Sequence, residues 1–403
     1  MWNRVLAYFG MAGRVMLEVG LCLIGVLDVR PLLAGRTSKQ RIALQAYAPH
    51  LAQFYVPLLE NLAQEIEDVE LVLMLLPHPH FSLAEQRSLR RFAESAAAVY
   101  GAEVKSYWRC LWHRFDILLC VDVYAWFPCR KTLKVLLMHG PGLTRRNVDP
   151  APFRKTVRDF DAVLVSGETD RALLKGFLDQ YPAPTRVSAV GTPFFDDWPR
   201  AADSPAAYCA RLGLDEGRRT LLVAPSWVGL RWFQELGCDW LAEVVQSLRG
   251  LDLNIVVKLH ACSFNWHMAG GVAWKSRLES LKASSGAMID FDIDDRPALA
   301  QADLLITDIS SRAFNFMLLG KPVLLYWPFM DPRDPWDEER LAMLRHGSKV
   351  AATPDELRAL LKGAWTGGGG RRIAQGYFSN PGSATSAVLA WLKAELQGSH
   401  PAS

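Results

Sequence analysis

The sequence lacks the cysteine and glycine patterns that mark several common classes of protein. Its seven cysteines include no Cys-x-x-Cys pair and are odd in number, which argues against a zinc ribbon or a secreted disulfide framework and favours the reducing cytosol. It has no Walker A sequence, and no Gly-x-Gly-x-x-Gly follows a predicted strand, so the common phosphate-binding loops are excluded. No cluster of metal ligands stands out, and we expect no cofactor and no tightly bound metal, while a loosely bound Mg²⁺ stays open.

A strong charge of one sign and a membrane-spanning run are also missing. Basic and acidic side chains number 45 and 42, and the resulting net charge of +3 argues against nucleic acid as a partner. An apolar stretch near the start covers only residues 19–27, whereas a spanning helix needs about 20 residues. Arg4 and Arg14 beside Trp2 favour an amphipathic, membrane-proximal segment over residues 1–38. Packing of this helix on its own domain or on a partner is the open alternative.

Aliphatic runs that alternate with helical patterns make up most of the remaining sequence, and they indicate parallel sheets covered on both faces. A length of 403 residues exceeds one usual core, and residues 198–219, rich in proline, alanine and charge, separate two such series. We therefore predict an α/β protein with two doubly wound, Rossmann-like domains, residues 39–200 and 201–403, that face a central ligand-binding cleft. The predicted strands are 41–47, 69–76, 116–122, 134–140 and 161–167, then 220–226, 253–260, 287–292, 303–308 and 322–327.

Two histidines stand where predicted strands end, which is the position at which an open parallel sheet binds its ligands. His139 ends a strand of the first domain, and Gly140 after it allows a ligand to approach the backbone. His260 ends a strand of the second domain, with Lys258 two residues earlier on the same face. A single histidine is more often structural than catalytic, but one at a strand exit in each domain indicates a shared active site.

The stretch Asp308-Ile-Ser-Ser poses a choice between a helix cap and a phosphate site. Serine is a favoured N-cap, and one serine is sufficient for that role. The same helix start offers unpaired N–H groups to an anion, and the second serine of the pair Ser310 and Ser311 adds a hydroxyl donor. Because the helix dipole contributes only about 0.3–1 kcal/mol, a phosphate site needs side-chain donors as well. The candidates are Lys258, His260 and Arg312.

Two further stretches have ordinary structural interpretations. Residues 191–198 are interpreted as a turn, since Asp196 and Asp197 are adjacent carboxylates without an evident third metal ligand. The pair His78 and His80 has no partnering carboxylate or cysteine motif, and we interpret it as part of a loop near the cleft.

The order of these motifs resembles that of one enzyme family. His-Gly-Pro-Gly at 139–142, Lys-Leu-His at 258–260 and Thr-Asp-Ile-Ser-Ser at 307–311 are similar to motifs of the CDP-glycerol glycerophosphotransferases, and the similarity extends over residues 134–392. That family contains teichoic acid primases and polymerases, with relatives in capsule synthesis. The resemblance implies a GT-B fold and a peripheral position on the cytoplasmic face of the cell membrane. It also implies transfer of glycerol phosphate, or a related polyol phosphate, from a CDP-activated donor to a lipid-linked or polymeric acceptor, with release of CMP.

The resemblance also implies roles for individual residues. His139 and His260 match the family's essential histidines, and Ser310 and Ser311 match its pyrophosphate-binding serines. We therefore expect His139 to act as the general base on the acceptor hydroxyl, and His260, Lys258 and the serines to stabilise charge on the pyrophosphate. The rest of the predicted donor site consists of Asp308, Gly140 and Arg312, with a nucleotide pocket near Pro225, Ser226 and Asp292.

Departures from the family pattern keep two alternatives open. Ile309 replaces the usual tyrosine, Ala261 replaces the proline after Lys-Leu-His, Pro141-Gly142 replaces Thr-Pro, and Asn315 stands where the family often has aspartate. One alternative is a GT-B glycosyltransferase that uses a CMP- or UDP-sugar, and the other is a catalytically inactive GT-B scaffold. The exact donor, the acceptor and the oligomeric state are not defined by the sequence.

Overall fold

The structure, a computed structural model, describes residues 39–66, 68–77, 81–123, 132–144, 147–148, 156–196, 205–226, 239–328, 335–365 and 369–398. The amphipathic segment predicted for residues 1–38, the pair His78 and His80, and Asp197 lie outside these residues. Within the ranges just given, no helix has both the length and the apolar character needed to cross a membrane.

The first half of the chain forms a seven-stranded parallel sheet. Its strands are β1 (Gln40–Ala46), β2 (Val69–Leu75), β3 (Glu103–Ser106), β4 (Ile117–Cys120), β5 (Leu133–Leu137), β6 (Ala162–Val165) and β7 (Arg186–Ala189). Their order in space is β3-β2-β1-β4-β5-β6-β7. Strands β4 and β6 are buried along their whole length, because helices cover both faces of the sheet, and they therefore consist of aliphatic residues with one cysteine.

The second half forms a six-stranded parallel sheet. Its strands are β8 (Thr220–Val223), β9 (Asn254–Val257), β10 (Met288–Ile289), β11 (Leu304–Thr307), β12 (Val323–Tyr326) and β13 (Lys349–Ala351). Their order is β10-β9-β8-β11-β12-β13. The strand order reverses between β8 and β11 here, and between β1 and β4 in the first sheet. Ligands of open parallel sheets bind at such reversals, outside the carboxyl ends of the strands.

Helices connect the strands and cover the sheets. In the first half they are α1 (Pro49–Ala52), α2 (Val56–Glu65), α3 (Leu83–Tyr100), α4 (Tyr107–Cys110) and α5 (Glu168–Gln180). The later helices are α6 (Pro205–Leu212), α7 (Trp240–Ser247), α8 (Trp274–Ser285), α9 (Arg296–Gln301), α10 (Arg312–Leu318), α11 (Pro335–Arg345), α12 (Pro354–Leu361), α13 (Gly369–Tyr377) and α14 (Ala384–Leu396).

Capping residues in the local sequence define both ends of helix α3. Ser82 accepts the backbone N–H of Glu85, and the Glu85 carboxylate accepts the backbone N–H of Ser82, which together form a capping box. Gly101 ends the helix in the left-handed conformation, with a φ of +71°. Helix α3 therefore runs from Leu83 to Tyr100, between a capping box and a left-handed glycine.

The predicted α/β class with two parallel sheets is confirmed, and every predicted strand has a counterpart. The sequence interpretation missed β3, β7 and β13, which are edge strands. Edge strands are half-covered, so their residues are mixed; β3 is Glu-Val-Lys-Ser and β7 is Arg-Val-Ser-Ala. A search for continuous aliphatic runs does not find such strands.

The last helix returns to the first half of the molecule. Leu389, Trp391 and Leu392 of α14 are part of the core of the first sheet. Asp196 accepts the backbone N–H groups of Ala384 and Thr385, at 3.0 and 2.6 Å, and so stabilises the start of this helix. The division of the chain at residues 200 and 201 stays a prediction, but the packing of α14 couples the chain end to the first sheet.

We predict that Leu392→Ala destabilises the first half of the molecule. Leu392 has 0% of its surface exposed, and removal of a buried leucine side chain costs about 2–5 kcal/mol. Denaturant unfolding measures the change, with Leu83→Ala as the matched control because Leu83 is 71% exposed. Equal effects of the two substitutions would contradict the packing of α14 on the first core.

Candidate active site

A cleft lies where the carboxyl ends of the two sheets meet. His50, Asp122 and His139 line it from the first half, where they follow β1, β4 and β5. The second half contributes residues that follow β9 and β11, namely His260, Ser310, Ser311 and Arg312. The cleft thus contains both predicted histidines and both predicted serines, and their chemical roles stay predictions.

His139 is exposed and has one nitrogen fixed by the protein. Its Nδ1 lies 2.6 Å from the carbonyl oxygen of Val121. Because a carbonyl oxygen only accepts, Nδ1 carries the proton and donates it, and the lone pair of the neutral ring is on Nε2. The ring of Phe54 packs against the imidazole, with 5.5 Å between ring centroids. This arrangement suits a base that removes a proton from a hydroxyl group in the cleft.

His260 has the opposite tautomer. The backbone N–H of Cys262 donates to its Nδ1 at 3.1 Å, so the neutral ring carries its proton on Nε2. Burial, together with nearby His50 and Arg312, lowers the pKa of His260 well below its usual value. His260 is therefore neutral at pH 7 and can donate a hydrogen bond from Nε2 to a ligand in the cleft.

Of the two serines, Ser310 binds the start of the helix through its side chain, whereas the hydroxyl of Ser311 is available to a ligand. Oγ of Ser310 accepts the backbone N–H of Arg312 at 3.3 Å. Ser311 is the N-cap residue of α10, but its side chain makes no hydrogen bond to the helix start. A Cβ atom on Gly140 would lie 3.8 Å from Oγ of Ser311, so this hydroxyl is placed where the loop of His139 meets the second half.

A buried polar frame supports the second half of the cleft. Nε and Nη2 of Arg312 donate to the Asp295 carboxylate at 2.7 and 2.9 Å, and Nη1 lies 3.5 Å from the carbonyl oxygen of Pro225. The Asp308 carboxylate accepts the backbone N–H and the hydroxyl of Ser226, at 2.9 and 2.8 Å. Burial raises the pKa of Asp308. Pro225, Ser226 and Asp308 therefore join the ends of β8 and β11, and of these three residues and Arg312, only Arg312 is among the residues that line the cleft.

Lys258 is not brought into the cleft. Its side chain is 1% exposed, and its Nζ lies 3.0 Å from the buried carboxylate of Asp290 and 2.6 Å from the carbonyl oxygen of Asp292. Removing one member of a buried ion pair is strongly unfavourable, which keeps Lys258 on Asp290. The structure therefore places Lys258 in an internal ion pair, and its predicted contact with the pyrophosphate stays a prediction.

His50 and Asn315 are among the cleft residues that sequence reasoning did not assign to the site. The ring of His50 meets that of His260 edge-on at 5.4 Å, and burial, followed by the neighbouring His139, lowers the pKa of His50 to about 4. His50 follows a strand end, which is the signal used for His139. Asn315 is 7% exposed, and its Oδ1 has no hydrogen-bond partner among the residues that the structure describes. A buried acceptor of this kind on a cleft wall is available to a donor group of a ligand.

Within the part of the chain that the structure describes, one group of side chains could together hold a metal ion at the cleft. It consists of His50, His260 and Cys262. Asp196, considered above as a metal ligand, instead caps α14.

The loop that follows His139 is anchored by Asp170. The buried carboxylate of Asp170 accepts the backbone N–H groups of Gly142 and Leu143, each at 3.1 Å to the same oxygen, and Arg340 donates to the carbonyl oxygen of Gly142. Gly142 has a φ of +89°, and a Cβ atom there would lie 2.9 Å from the ring of Phe314. The loop therefore lies against α10 and α11 of the second half, in a conformation that favours glycine.

We predict that Asp170→Ala lowers turnover, because two buried N–H groups lose their acceptor, at about 1–3 kcal/mol each. Asp170→Asn keeps an oxygen in the same place and is expected to retain most of the activity. Comparison of the two variants by kcat and by thermal unfolding tests the anchor. Equal losses in Asp170→Asn and Asp170→Ala would show that charge, and not the hydrogen-bond acceptor, is what the loop requires.

The raised pKa of Asp170 predicts that the stability of the protein depends on pH. Burial raises the pKa of Asp170 from 3.8 to about 6, so the folded state binds a proton that the unfolded state has released between these two pH values. The unfolding free energy contributed by Asp170 therefore falls as pH rises from about 4 to about 6. Denaturant unfolding at several pH values should show this slope in the native chain and not in Asp170→Asn; an identical slope in both would contradict it.

Comparison with known proteins gives the following matches. Residues 128–344 match the sequence model of the CDP-Glycerol:Poly(glycerophosphate) glycerophosphotransferases. A teichoic acid glycerol-phosphate primase from Bacillus spizizenii is 27% identical over 186 residues, which are 45% of this chain and 44% of the primase. The matched part of the chain thus spans less than half the length of this relative.

Solved structures share the fold at low identity. The wall teichoic acid polymerase TagF superposes with a TM-score of 0.62 at 14% identity, over 96% of this chain and 98% of that chain. A structure of the same polymerase soaked with CDPG has a TM-score of 0.59 and covers 89% of each chain, at 14% identity. A putative UDP-N-acetylglucosamine 2-epimerase from Listeria monocytogenes has a TM-score of 0.58 at 15% identity, over 90% of this chain and 98% of that chain. The predicted GT-B fold is therefore confirmed.

Proposed function

The chain belongs to the CDP-glycerol:poly(glycerophosphate) glycerophosphotransferase family, and on this premise we propose that it transfers glycerol phosphate from CDP-glycerol to a hydroxyl group of a lipid-linked or polymeric acceptor, in teichoic acid-like polymer synthesis. One observation carries the proposal. A base with an available lone pair, His139, faces the same cleft as hydrogen-bond donors suited to phosphate, His260 and Ser311, which the other half of the molecule supplies.

The donor side of the site is built from neutral hydrogen-bond groups and one cation. The Nε2 proton of His260 and the Ser311 hydroxyl are placed to donate to the oxygens of the pyrophosphate. The Arg312 guanidinium contributes positive charge from the cleft wall, although Asp295 partly neutralises it. The unpaired Oδ1 of Asn315 accepts from a hydroxyl group, which a polyol donor provides and a bare phosphate does not.

The proposed reaction is a direct displacement at the β-phosphorus of the donor. The acceptor hydroxyl oxygen attacks this phosphorus and loses its proton to Nε2 of His139. The bond between the β-phosphorus and the oxygen that bridges to the α-phosphorus breaks, and CMP leaves with the electron pair. Hydrogen bonds from His260 and Ser311 stabilise the negative charge that spreads over the phosphoryl oxygens. No covalent intermediate on the protein is needed.

We predict that His139→Ala abolishes transfer and leaves donor binding nearly intact. The base acts on the acceptor hydroxyl, and general-base catalysis contributes about 10²–10⁴-fold to rate. CMP release measures transfer, and the thermal shift produced by CDP-glycerol measures donor binding. His346→Ala is the matched control, because His346 is exposed and does not line the cleft. Unchanged turnover of His139→Ala would overturn the assignment of the base.

A donor screen separates this function from transfer of a sugar. A nucleotide-sugar transferase with this fold breaks the bond at the anomeric carbon, so a UDP-sugar yields UDP. With CDP-glycerol and acceptor, the proposed function gives CMP and an acceptor heavier by one glycerol phosphate. Turnover of nucleotide sugars alone would favour a glycosyltransferase, and binding of CDP-glycerol with no turnover of any donor would favour an inactive scaffold.

An exposed aromatic and basic surface supports a peripheral position on the cytoplasmic face of a membrane, where a lipid-linked acceptor lies. Trp108 and Trp112 are 48% and 56% exposed, and Arg109 and Arg114 beside them are exposed as well. Large amphipathic rings with neighbouring cations suit the interface of an anionic bilayer. These four side chains form the proposed membrane-facing patch.

The patch predicts that the double variant Trp108→Ser and Trp112→Ser binds less to anionic vesicles than the unchanged chain does. Cosedimentation with vesicles that contain phosphatidylglycerol measures the bound fraction, and a salt series tests the contribution of the arginines. Val99→Ser is the control, since Val99 is 70% exposed outside the patch. Equal binding of the double variant and the control would contradict a role for the patch.

A further inference from the structure

We propose that the cleft contains a zinc-binding site formed by His50, His260 and Cys262. One ligand atom from each of these side chains lies within 4.8 Å of the other two. Imidazole nitrogen and thiolate sulfur are the ligands that zinc prefers, whereas Mg²⁺ and Ca²⁺ prefer oxygen. Their separation in the sequence, with His50 in one half and the other two in the second, explains why no metal motif is visible along the chain. The site does not depend on the proposed transfer reaction.

The distances fit a single ion. Sγ of Cys262 lies 3.7 Å from Nε2 of His50. Two ligands at about 2.3 Å for sulfur and about 2.0–2.1 Å for nitrogen, in a tetrahedral arrangement, lie roughly 3.6 Å apart. The separation of Sγ of Cys262 and Nε2 of His50 is therefore close to that of two ligands of one zinc ion.

The third ligand is presented by the fold of the loop after β9. Nδ1 of His260 accepts the backbone N–H of Cys262 at 3.1 Å, so this lone pair faces the main chain of the cysteine residue. Coordination through Nδ1 exchanges that one hydrogen bond for a metal bond and keeps the proton on Nε2, which is the tautomer of a neutral imidazole ligand. The Cys262 thiol loses its proton to solvent when the sulfur–zinc bond forms.

The surroundings suit a cation that has an open coordination position. The carboxylates of Asp122 and Asp295 are close enough to act electrostatically on His50, and Arg312, a cation that lines the cleft, is paired with Asp295. Three protein ligands leave the fourth position of a tetrahedral zinc ion for water or an oxygen of a bound molecule. All three ligands line the cleft, so a small molecule in the cleft has access to that position.

Cobalt(II) titration of the 403-residue chain without a tag tests the site, because Co²⁺ occupies zinc sites and its absorption spectrum reports its ligands. We expect one equivalent to bind with a thiolate-to-cobalt charge-transfer band in the near ultraviolet, and Zn²⁺ to remove the band by displacement. Cys262→Ser should lose the band, and Cys209→Ser, which removes another buried cysteine, should retain it. His50→Ala should weaken binding by more than the roughly 10–100-fold that loss of an outer-shell partner costs.

The outcomes distinguish this site from the transfer reaction. Absence of the band in the unchanged chain, or its persistence in Cys262→Ser, would overturn the zinc site and leave the proposed transferase function untouched. Thermal unfolding checks that the variants fold. If Cys262→Ser does not fold, His50→Ala decides the matter, since unchanged cobalt affinity in that variant also overturns the proposal.

Discussion

The anchoring of one loop by a buried carboxylate is the interaction on which the rest of the site depends. Asp170 accepts two backbone N–H groups of the loop that follows His139, and Arg340 and Phe314 from the second half contact the same loop at Gly142. The carboxylate thus holds the loop next to His139 against the second half of the molecule. Without this anchor, His139 on one half and His260 and Ser311 on the other would not be held at one cleft.

The sequence predicted the sheets well because their central strands are buried on both faces. Near-continuous aliphatic runs such as Leu304–Thr307 have few other structural interpretations. The edge strands β3, β7 and β13 were missed, since a strand that is covered on one side carries the same mixed residues as a loop. Long-range packing could not be predicted either, because no local pattern shows that α14, which follows the strands of the second sheet, packs on the first sheet.

The candidate site could be predicted only in part from the sequence. Strand ends identify residues near the cleft, as His139 and His260 show, but they do not tell which of them point into it. Lys258 lies two residues before His260 yet pairs with Asp290 in the interior. Asp308 likewise binds Ser226 beneath the cleft. His50 and Asn315 line the cleft from positions to which sequence reasoning assigned no function, because the residues beside which they lie are distant in the sequence.

In the proposed reaction the acceptor oxygen attacks the β-phosphorus of a CDP-linked polyol. The fate of the oxygen that bridges the two phosphorus atoms of the donor tests this step directly. CDP-glycerol labelled with a heavy oxygen isotope between its two phosphorus atoms, incubated with the chain and an acceptor, would be followed by mass spectrometry of the nucleotide product. We expect CMP to be released and to carry all of the label. Release of CDP, or label found in the transferred glycerol phosphate, would contradict it.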